Sequence, residues 1–563
     1  MKQDNTNSHY RNRTSVRTVV LNLGTCILRL KNTTMKKIIY LALMMVATTL
    51  PSCTDDLNQM PNTETTSAQV YTSAANYKAV LGKMYASFVI TGQEKGGANK
   101  DMASNSGYDY MRCYFNMQEC GTEELASTWL EGDKVGDLTY LAWDANDPWV
   151  ADMYYRIYYT IALSNELLRN ASDDQIGSFT QAEQTNIRRY RSEARFIRAL
   201  AYYHALDLYR NIPFVTENDP VGTFIPPRHT ARQIFDYIES ELIDIEEDLY
   251  TKDECEYGHA SKAAAWTLLS RLYLNHKVYL ETENAQYYTD CITYCNKVLS
   301  EGYSLEGDYA KLFNADNHKR TNEIIFPLVI DPTNTMSWGS TTYIICGEVS
   351  NTSEHQIAAD WGVTNGWGMF RTRGELPSKF DANDLRGMFF TEGQSQTVDV
   401  IDDQSNGFFV AKWTNLTDAG EAASVTTSDG VNTDFPMFRL ADVYLMLAEA
   451  VVRGGSGATL DAAVGYVNKL RERAFGANYE TDGKITNSAL TLAFLIDERA
   501  RELYWEGVRR TDLIRFGLFT SSEYVWQWKG GTIGGQGVDN KYNIYPIPTT
   551  DLTANPNLNN DNY

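Results

Sequence analysis

Apolar residues recur at helical spacing through most of the chain. The clearest case is Glu193–Tyr209, where Ala194, Ile197, Ala201, Ala205 and Leu208 form one apolar face and Phe196, Leu200 and Tyr203 another. A helix apolar on two faces is sandwiched between neighbours. The same period predicts helices over Ala75–Ile90, Pro148–Leu168, Ala231–Leu249, Ala263–Leu274, Ala285–Leu299, Leu440–Val452 and Leu460–Ala474, with Pro148 at a tolerated first-turn position. Small alanines where these helices would cross suggest tetratricopeptide-like hairpins, although no fixed period of about 34 residues runs through them.

The pattern changes between Tyr303 and Pro436. Helical spacing fades, Gly, Asn, Thr and Asp become frequent, and short strand-like runs appear at Glu323–Ile330, Tyr343–Cys346 and Phe408–Trp413. The stretch from Thr91 to Asp147 also reads as loop-rich. So long a region with little regular structure is usually functional. The expected fold is mostly α: a helix-pair scaffold packed against a loop-rich half with short strands, together one compact unit over residues 67–563.

One block combines helical spacing with dense charge. In Asp497–Phe519, DERARELYWEGVRRTDLIRFGLF, Glu498, Glu502 and Glu506 sit four apart with Arg501 and Arg509 beside them. Gly507 breaks the helix, Thr511 is placed to cap a second short one, and Gly517 stops it. Five arginines alternating with acids over so short a span read as a structural clamp, not a catalytic centre.

Composition sharpens this picture. Aromatic residues make up 12% of the chain, with 36 Tyr and 11 Trp, and the formal net charge is −22. So acidic a protein lacks the basic footprint that nucleic acid requires. At the front, Met35-Lys36-Lys37 precedes an apolar run, Ile38–Leu50, too short to cross a bilayer, and Leu50-Pro51-Ser52-Cys53 closes it. This is a secretory signal over 35–52 with a lipobox-like ending, so Cys53 is the expected lipidated first residue, followed by a tether over 53–66. Residues 1–34 read as an upstream extension. Six cysteines follow Cys53 without a CxxC, and no histidine follows Cys291 and Cys295 at ligand spacing, so buried free thiols are expected rather than a zinc site.

Catalytic motifs are absent from the sequence. The seven histidines form no HExxH pair, and there is no Walker motif, GxSxG or GxGxxG. No acid stands out as half of a glycosidase pair. The sequence therefore reads as a binding protein, not an enzyme. Sugar rings stack their C–H faces on Trp and Tyr, and their hydroxyls need planar or charged partners. Aromatics on loops are suited to such stacking. Those of interest are Trp129 in STWLEGD, Trp338 and Tyr343 in SWGSTTY, and Trp367 in TNGWG beside Asn365.

The segment RARELYWEGVRRTDLIRFG (Arg499–Gly517), with YNIYPIP (Tyr542–Pro548) after it, resembles the C-terminal signature of the SusD/RagB family of outer-membrane glycan-binding lipoproteins. The resemblance covers essentially the whole chain after the signal segment. It implies a scaffold of four helix pairs, an outer-membrane, cell-surface location through the lipid on Cys53, a polysaccharide ligand and a SusC-like TonB-dependent transporter as partner. In the family's starch-binding member an arc of aromatics cradles an α-glucan. Trp129, Tyr343 and Trp367 match its aromatic positions and Arg112 a polar contact, whereas Ser127 and Gly132 replace a Trp and an Asn. An acidic loop that binds calcium there is shortened here around Asn314–Thr321, so no cofactor is carried over. The implied function is capture of starch or maltooligosaccharides. The rivals are another glycan, such as a fructan or a host glycan, and an interaction scaffold whose aromatics are all core.

Overall fold

The computed structural model describes residues 70–92, 101–102, 108–352, 354–423, 430–561 and 563. The signal segment, Cys53 and the tether lie outside the described residues. Eight longer helices build the scaffold: α1 (Ala74–Ala86), α2 (Tyr110–Glu119), α3 (Pro148–Asn170), α4 (Gln181–Tyr209), α5 (Ala231–Ile245), α6 (Lys262–Leu274), α7 (Ala285–Ser300) and, after the loop-rich region and its own helix α8 (Ser340–Glu348), α9 (Leu440–Val452). Three more follow, ahead of a last short helix at Thr549–Ala554: α10 (Leu460–Phe475), α11 (Leu492–Leu503) and α12 (Arg509–Arg515). Neighbours in sequence pack as pairs, α3 on α4, α6 on α7 and α9 on α10, and α4 also carries α1 and α5. That is the mostly α, tetratricopeptide-like scaffold the spacing predicts.

The helix starts show why these segments are helical. Thr180 and Glu183 form a capping box at α4, Thr230 and Gln233 another at α5, and the Asp147 side chain accepts the Trp149 and Val150 amides ahead of Pro148. From Ser192 to Tyr209, α4 is buried on all sides, as its two apolar faces require. Two helices depart from expectation. The Thr91–Asp147 stretch contains α2, whose ten residues are all buried, so it shows no polar face to create a helical period. Tyr343–Cys346 is not a strand but part of α8, although Thr, Tyr and Ile favour strands. There the Asp109 carboxylate takes the Ser340 amide (3.3 Å) and hydroxyl (3.0 Å), and tertiary packing overrides local propensity.

Four two-stranded antiparallel sheets stand among the described residues: β1 (Ala126–Ser127) with β5 (Phe370–Arg371), β2 (Ile212–Pro213) with β3 (Arg228–His229), β4 (Ile324–Leu328) with β8 (Phe435–Arg439), and β6 (Phe389–Phe390) with β7 (Phe409–Val410). The β4–β8 pair, wholly buried and running from Ile324↔Arg439 to Leu328↔Phe435 with a register irregularity at Phe326, ties together the two ends of the loop-rich excursion. The runs predicted at Glu323–Ile330 and Phe408–Trp413 appear as β4 and β7.

The charged block is a buried ion network that knots this neck to the scaffold. Arg439, at the end of β8, donates to Glu502 (2.7 Å) and Glu506 (2.6 Å); Arg473 of α10 reaches Glu323 (2.7 Å) and Glu502 (2.5 Å); Arg386 reaches Glu498 (2.8 Å) and Glu502 (3.0 Å). Opposed guanidinium groups hold the carboxylate of Glu502 down at about 2 despite burial that pushes the other way. Thr511 does not cap α12. Val508 occupies the N-cap without a side-chain bond, and the Thr511 hydroxyl bonds Asp207 (2.6 Å) and Gln118 (3.1 Å), joining α12 to α4 and α2. Of the described cysteines, Cys113, Cys120, Cys291, Cys295 and Cys346 are buried free thiols and Cys255 is half-buried.

Candidate functional site

The register of β1 with β5 brings two distant indoles together. Ser127 pairs with Phe370, and beyond the strands the Thr128 amide bonds the Met369 carbonyl at 2.9 Å. Antiparallel pairing therefore lays Trp129 beside Trp367, with ring centroids 6.4 Å apart and planes only 22° from parallel. Trp338 completes the cluster, 6.2 Å from Trp367. Trp129 is 40% exposed, and Trp338 and Trp367 are half-buried, so the three indoles form a shallow aromatic face open to solvent.

The Asn365–Gly368 segment is strapped onto the end of α8. Trp367 donates to the Cys346 carbonyl (2.7 Å), Gly368 to Val349 (2.7 Å) and Met369 to Gly347 (2.9 Å). Gly366 lies so close to this helix end that a Cβ would come within 2.7 Å of the Val349 carbonyl oxygen, and Gly368 has φ +58. The two glycines flanking Trp367 thus fix the height of the indole. Asn365, half-buried, accepts from Asn351 (2.8 Å), which in turn accepts the Gly366 amide (2.8 Å).

The structure changes the roles of two expected contacts. Tyr343 is 0% exposed and Arg112 only 3%, so neither offers a face to a ligand as the resemblance implied. Both sit behind the indoles. The Arg112 guanidinium lies between the rings of Tyr108 (3.4 Å) and Tyr343 (3.8 Å), donates to both oxygens of Asp133 (2.7 and 2.9 Å), and grips the Trp338 carbonyl at 2.5 Å. Burial alone would weaken its proton affinity, yet Tyr343, Asp133 and Tyr108 hold its pKa above the ordinary value. Tyr343 stands edge-on to Phe370 (4.8 Å) and donates to Asn116 (2.9 Å) and Asp133 (3.2 Å); burial pushes its hydroxyl well up. The physical reason is position: α8 turns the Tyr343 side chain toward α2, where a strand would have alternated it outward.

Asp133, Tyr108 and Trp149 were missed in the sequence. Tyr108 stacks on Trp149 at 5.5 Å, and the Trp149 indole donates to the Asp133 carbonyl at 2.9 Å. The available signal was Asp133 itself, an acid four residues after Trp129 in a loop otherwise rich in exposed polar groups. Around Asn314–Thr321 the acids are already engaged: Asp316 pairs with Lys319 (2.8 Å) and Asp418 with Arg320. That donor set does not fit a calcium ion, which wants free carboxylate oxygens.

Comparison with known proteins places this geometry in context. The SusD family model matches residues 281–563, and a second, described as starch-binding associating with outer membrane, matches 62–274. A curated relative, the starch-binding protein SusD of Bacteroides thetaiotaomicron, is 32% identical over 95% of this chain and 100% of its own. The chain belongs to the SusD family. Among solved structures, a SusD homolog from the same organism covers 88% of this chain and 98% of its own (TM-score 0.67, 18% identity). Surface glycan-binding protein A of that organism, solved with laminarihexaose, covers 87% and 99% (TM-score 0.66, 17% identity). These structures share the SusD fold.

Proposed function

We propose that this chain is a non-catalytic, cell-surface glycan-binding protein that captures starch or maltooligosaccharides and passes them to a SusC-like TonB-dependent outer-membrane transporter. The observation that carries this reading is the solvent-open face of Trp129, Trp367 and Trp338, held by a buried network that makes no other use of it. Indoles set at an angle to one another suit successive sugars of a curved chain, because stacking needs only a ring face and a curved ligand loses little conformational freedom on docking. The starch-binding relative supports an α-glucan. With Ser127 and Gly132 at flanking positions, the face offers fewer contacts than the aromatic arc implied by the resemblance.

Calorimetry with α-cyclodextrin and maltoheptaose tests this directly, with linear β-glucans, fructan and host glycans as the comparison set. Binding of the two α-glucans and not of the rest is the expected result. Binding of a different glycan, lost in Trp129→Ala/Trp367→Ala, would keep the face and replace the ligand. Binding of nothing in the set would favour an interaction scaffold. The Leu-Pro-Ser-Cys53 ending supports a lipid anchor, and Cys53→Ala is expected to abolish palmitate incorporation in cells.

A further inference from the structure

The structure holds a second feature of ligand size. A cleft of about 790 Å³ opens where the C-terminal ends of α4 and α9 meet α12 and the 539–544 segment, and it shares no residue with the aromatic face. Its lining is half aliphatic, from Val278, Leu492, Ile514 and Ile544, and half polar, with Arg210, Lys277, Arg453, Arg515 and Lys541 supplying cations, of which Lys277 and Arg515 are already paired with Glu283 and Glu449. In a chain of net charge −22 such a concentration of positive charge is local and specific.

Two of these cations, Arg210 and Lys541, form no ion pair among the described residues. Arg210 is only 6% exposed, yet its guanidinium makes one hydrogen bond, a long one of 3.3 Å to the Leu206 carbonyl, and no ion pair. Asp207, three residues before it, is already committed to Tyr279, Gln118 and Thr511. Outside the lining, Arg510 is 0% exposed, rests on the rings of Tyr545 (4.3 Å) and Phe519 (5.3 Å), and bonds only the Tyr542 and Asn543 carbonyls, again with no ion pair. Arg453 is paired with Glu449 through Nε but leaves Nη2 unpartnered. The Lys541 ammonium rests over the rings of Tyr542 and Tyr563 and forms no ion pair. Two acids, Glu281 and Asp539, also line the cleft, and Asp539 is turned to the Lys541 amide. Backbone geometry adds to the picture: Arg210 ends α4 at φ +68, a conformation glycine adopts freely and arginine does not. A buried cation without an anion is costly, so a fold that keeps Arg210 unpaired at the wall of an open cleft, with the unpaired Lys541 on the same lining, is set to receive a negative group.

We infer that this cleft docks an acidic, aliphatic peptide segment of a partner protein, whose carboxylates meet Arg210 and Lys541 while its Leu, Ile or Val side chains fill the apolar half. A sugar fits less well: the walls are aliphatic, with Phe516 the one aromatic ring among the lining residues, and pyranose faces stack on aromatics. Arginine clusters reading acidic motifs are a recurring mode of peptide recognition, and stacked helix pairs present grooves suited to it.

The test pans random peptides displayed on phage against the immobilised full chain, then measures the enriched peptides by calorimetry on purified protein. Expected are sequences mixing Asp or Glu with aliphatic residues, with affinity falling as salt rises, about tenfold or more weaker for Arg210→Gln and for Lys541→Gln, and unchanged by Trp129→Ala/Trp367→Ala. Melting temperature guards the reading: Arg210→Gln removes an unpaired buried charge and is expected to melt no lower than wild type. Enrichment of peptides without acidic residues, equal binding by the two cleft variants, competition by glucuronate or citrate with no peptide enriched, or no enrichment at all would each overturn the proposal. Because the aromatic variants are measured alongside, its failure is separable from failure of the glycan reading.

Discussion

Around Glu498, Glu502 and Glu506 the chain buries charges, and around Trp129 it exposes an indole. Each region reverses the ordinary preference of its residues, and each is stable for a different reason. The clamp is satisfied internally: every carboxylate meets two or more cations, so nothing is left over for a ligand. The aromatic face is fixed from behind, by Arg112, Asp133 and Tyr343, while among the described residues its front has no partner. A buried charged clamp and a solvent-open aromatic face are thus separable, and the contrast can be broken at either end.

The largest effect is expected from acid. The carboxylates of Glu502, Glu449 and Asp442 are each held near 2 by neighbouring arginines. A depressed folded-state pKa stabilises above the unfolded value and is lost as pH falls through the folded one, here between about pH 4.5 and 2. Each group then forfeits on the order of 2–3 kcal/mol, so the protein should unfold cooperatively on acidification within that window. Circular dichroism melts across pH check this. Glu124 works in the opposite sense: burial raises it to about 7, so its contribution declines from about pH 4.5 up to 7. Unchanged melting temperature down to pH 2.5 would refute the clamp's electrostatics.

Next comes Glu502→Ala, which takes one carboxylate from each of Arg439, Arg473 and Arg386 and leaves Glu506, Glu323 and Glu498 to hold them. Removing one partner from a buried ion network typically costs about 3–5 kcal/mol. Denaturant titration should show that loss, while the folded fraction binds glycan as the wild type does. Abolished binding at wild-type stability would move the site into the clamp.

At the aromatic face the effects are smaller and of the other kind. Trp129→Ala and Trp367→Ala should each weaken glycan affinity by on the order of 1 kcal/mol or more and together nearly abolish it, with little change in melting temperature. Calorimetry and thermal melts on the same samples separate the two quantities. A double variant that binds as tightly as wild type would remove the face from the mechanism.

How far the sequence anticipated this contrast depended on which interactions were local. Leu440–Val452 matches α9 residue for residue, and α3 and α7 end within two residues of expectation, because their amphipathic spacing and caps are written in the segments themselves. Helix α2 left no such trace because it has no exposed face, and α8 was hidden by β-branched residues whose conformation Asp109 decides from far away. The clamp was legible as charge density, but its partners Arg386, Arg439, Arg473 and Lys412 come from outside the block. The pairing of Trp129 with Trp367 depends on a two-residue strand register that no local pattern encodes. Asp133 and the burial of Arg112 and Tyr343 follow from that same long-range packing.

The smallest expected effect is the sharpest test of the boundary between the two regions. Tyr343 belongs by sequence to the aromatic arc and by structure to the buried support. Tyr343→Phe keeps the ring against Phe370 and Trp367 and removes only the hydroxyl that donates to Asn116 and Asp133. Asp133 retains both bonds from Arg112, so the loss is that of a single hydrogen bond network edge, about 1 kcal/mol of stability. Glycan affinity should stay within about twofold, because the support loses one strut while Arg112 still holds the Trp338 carbonyl. Paired calorimetry and chemical denaturation decide the matter. An affinity loss of about tenfold at unchanged stability would mean that the Tyr343 hydroxyl reaches the sugar, and that the face opens further on binding than its unliganded geometry allows.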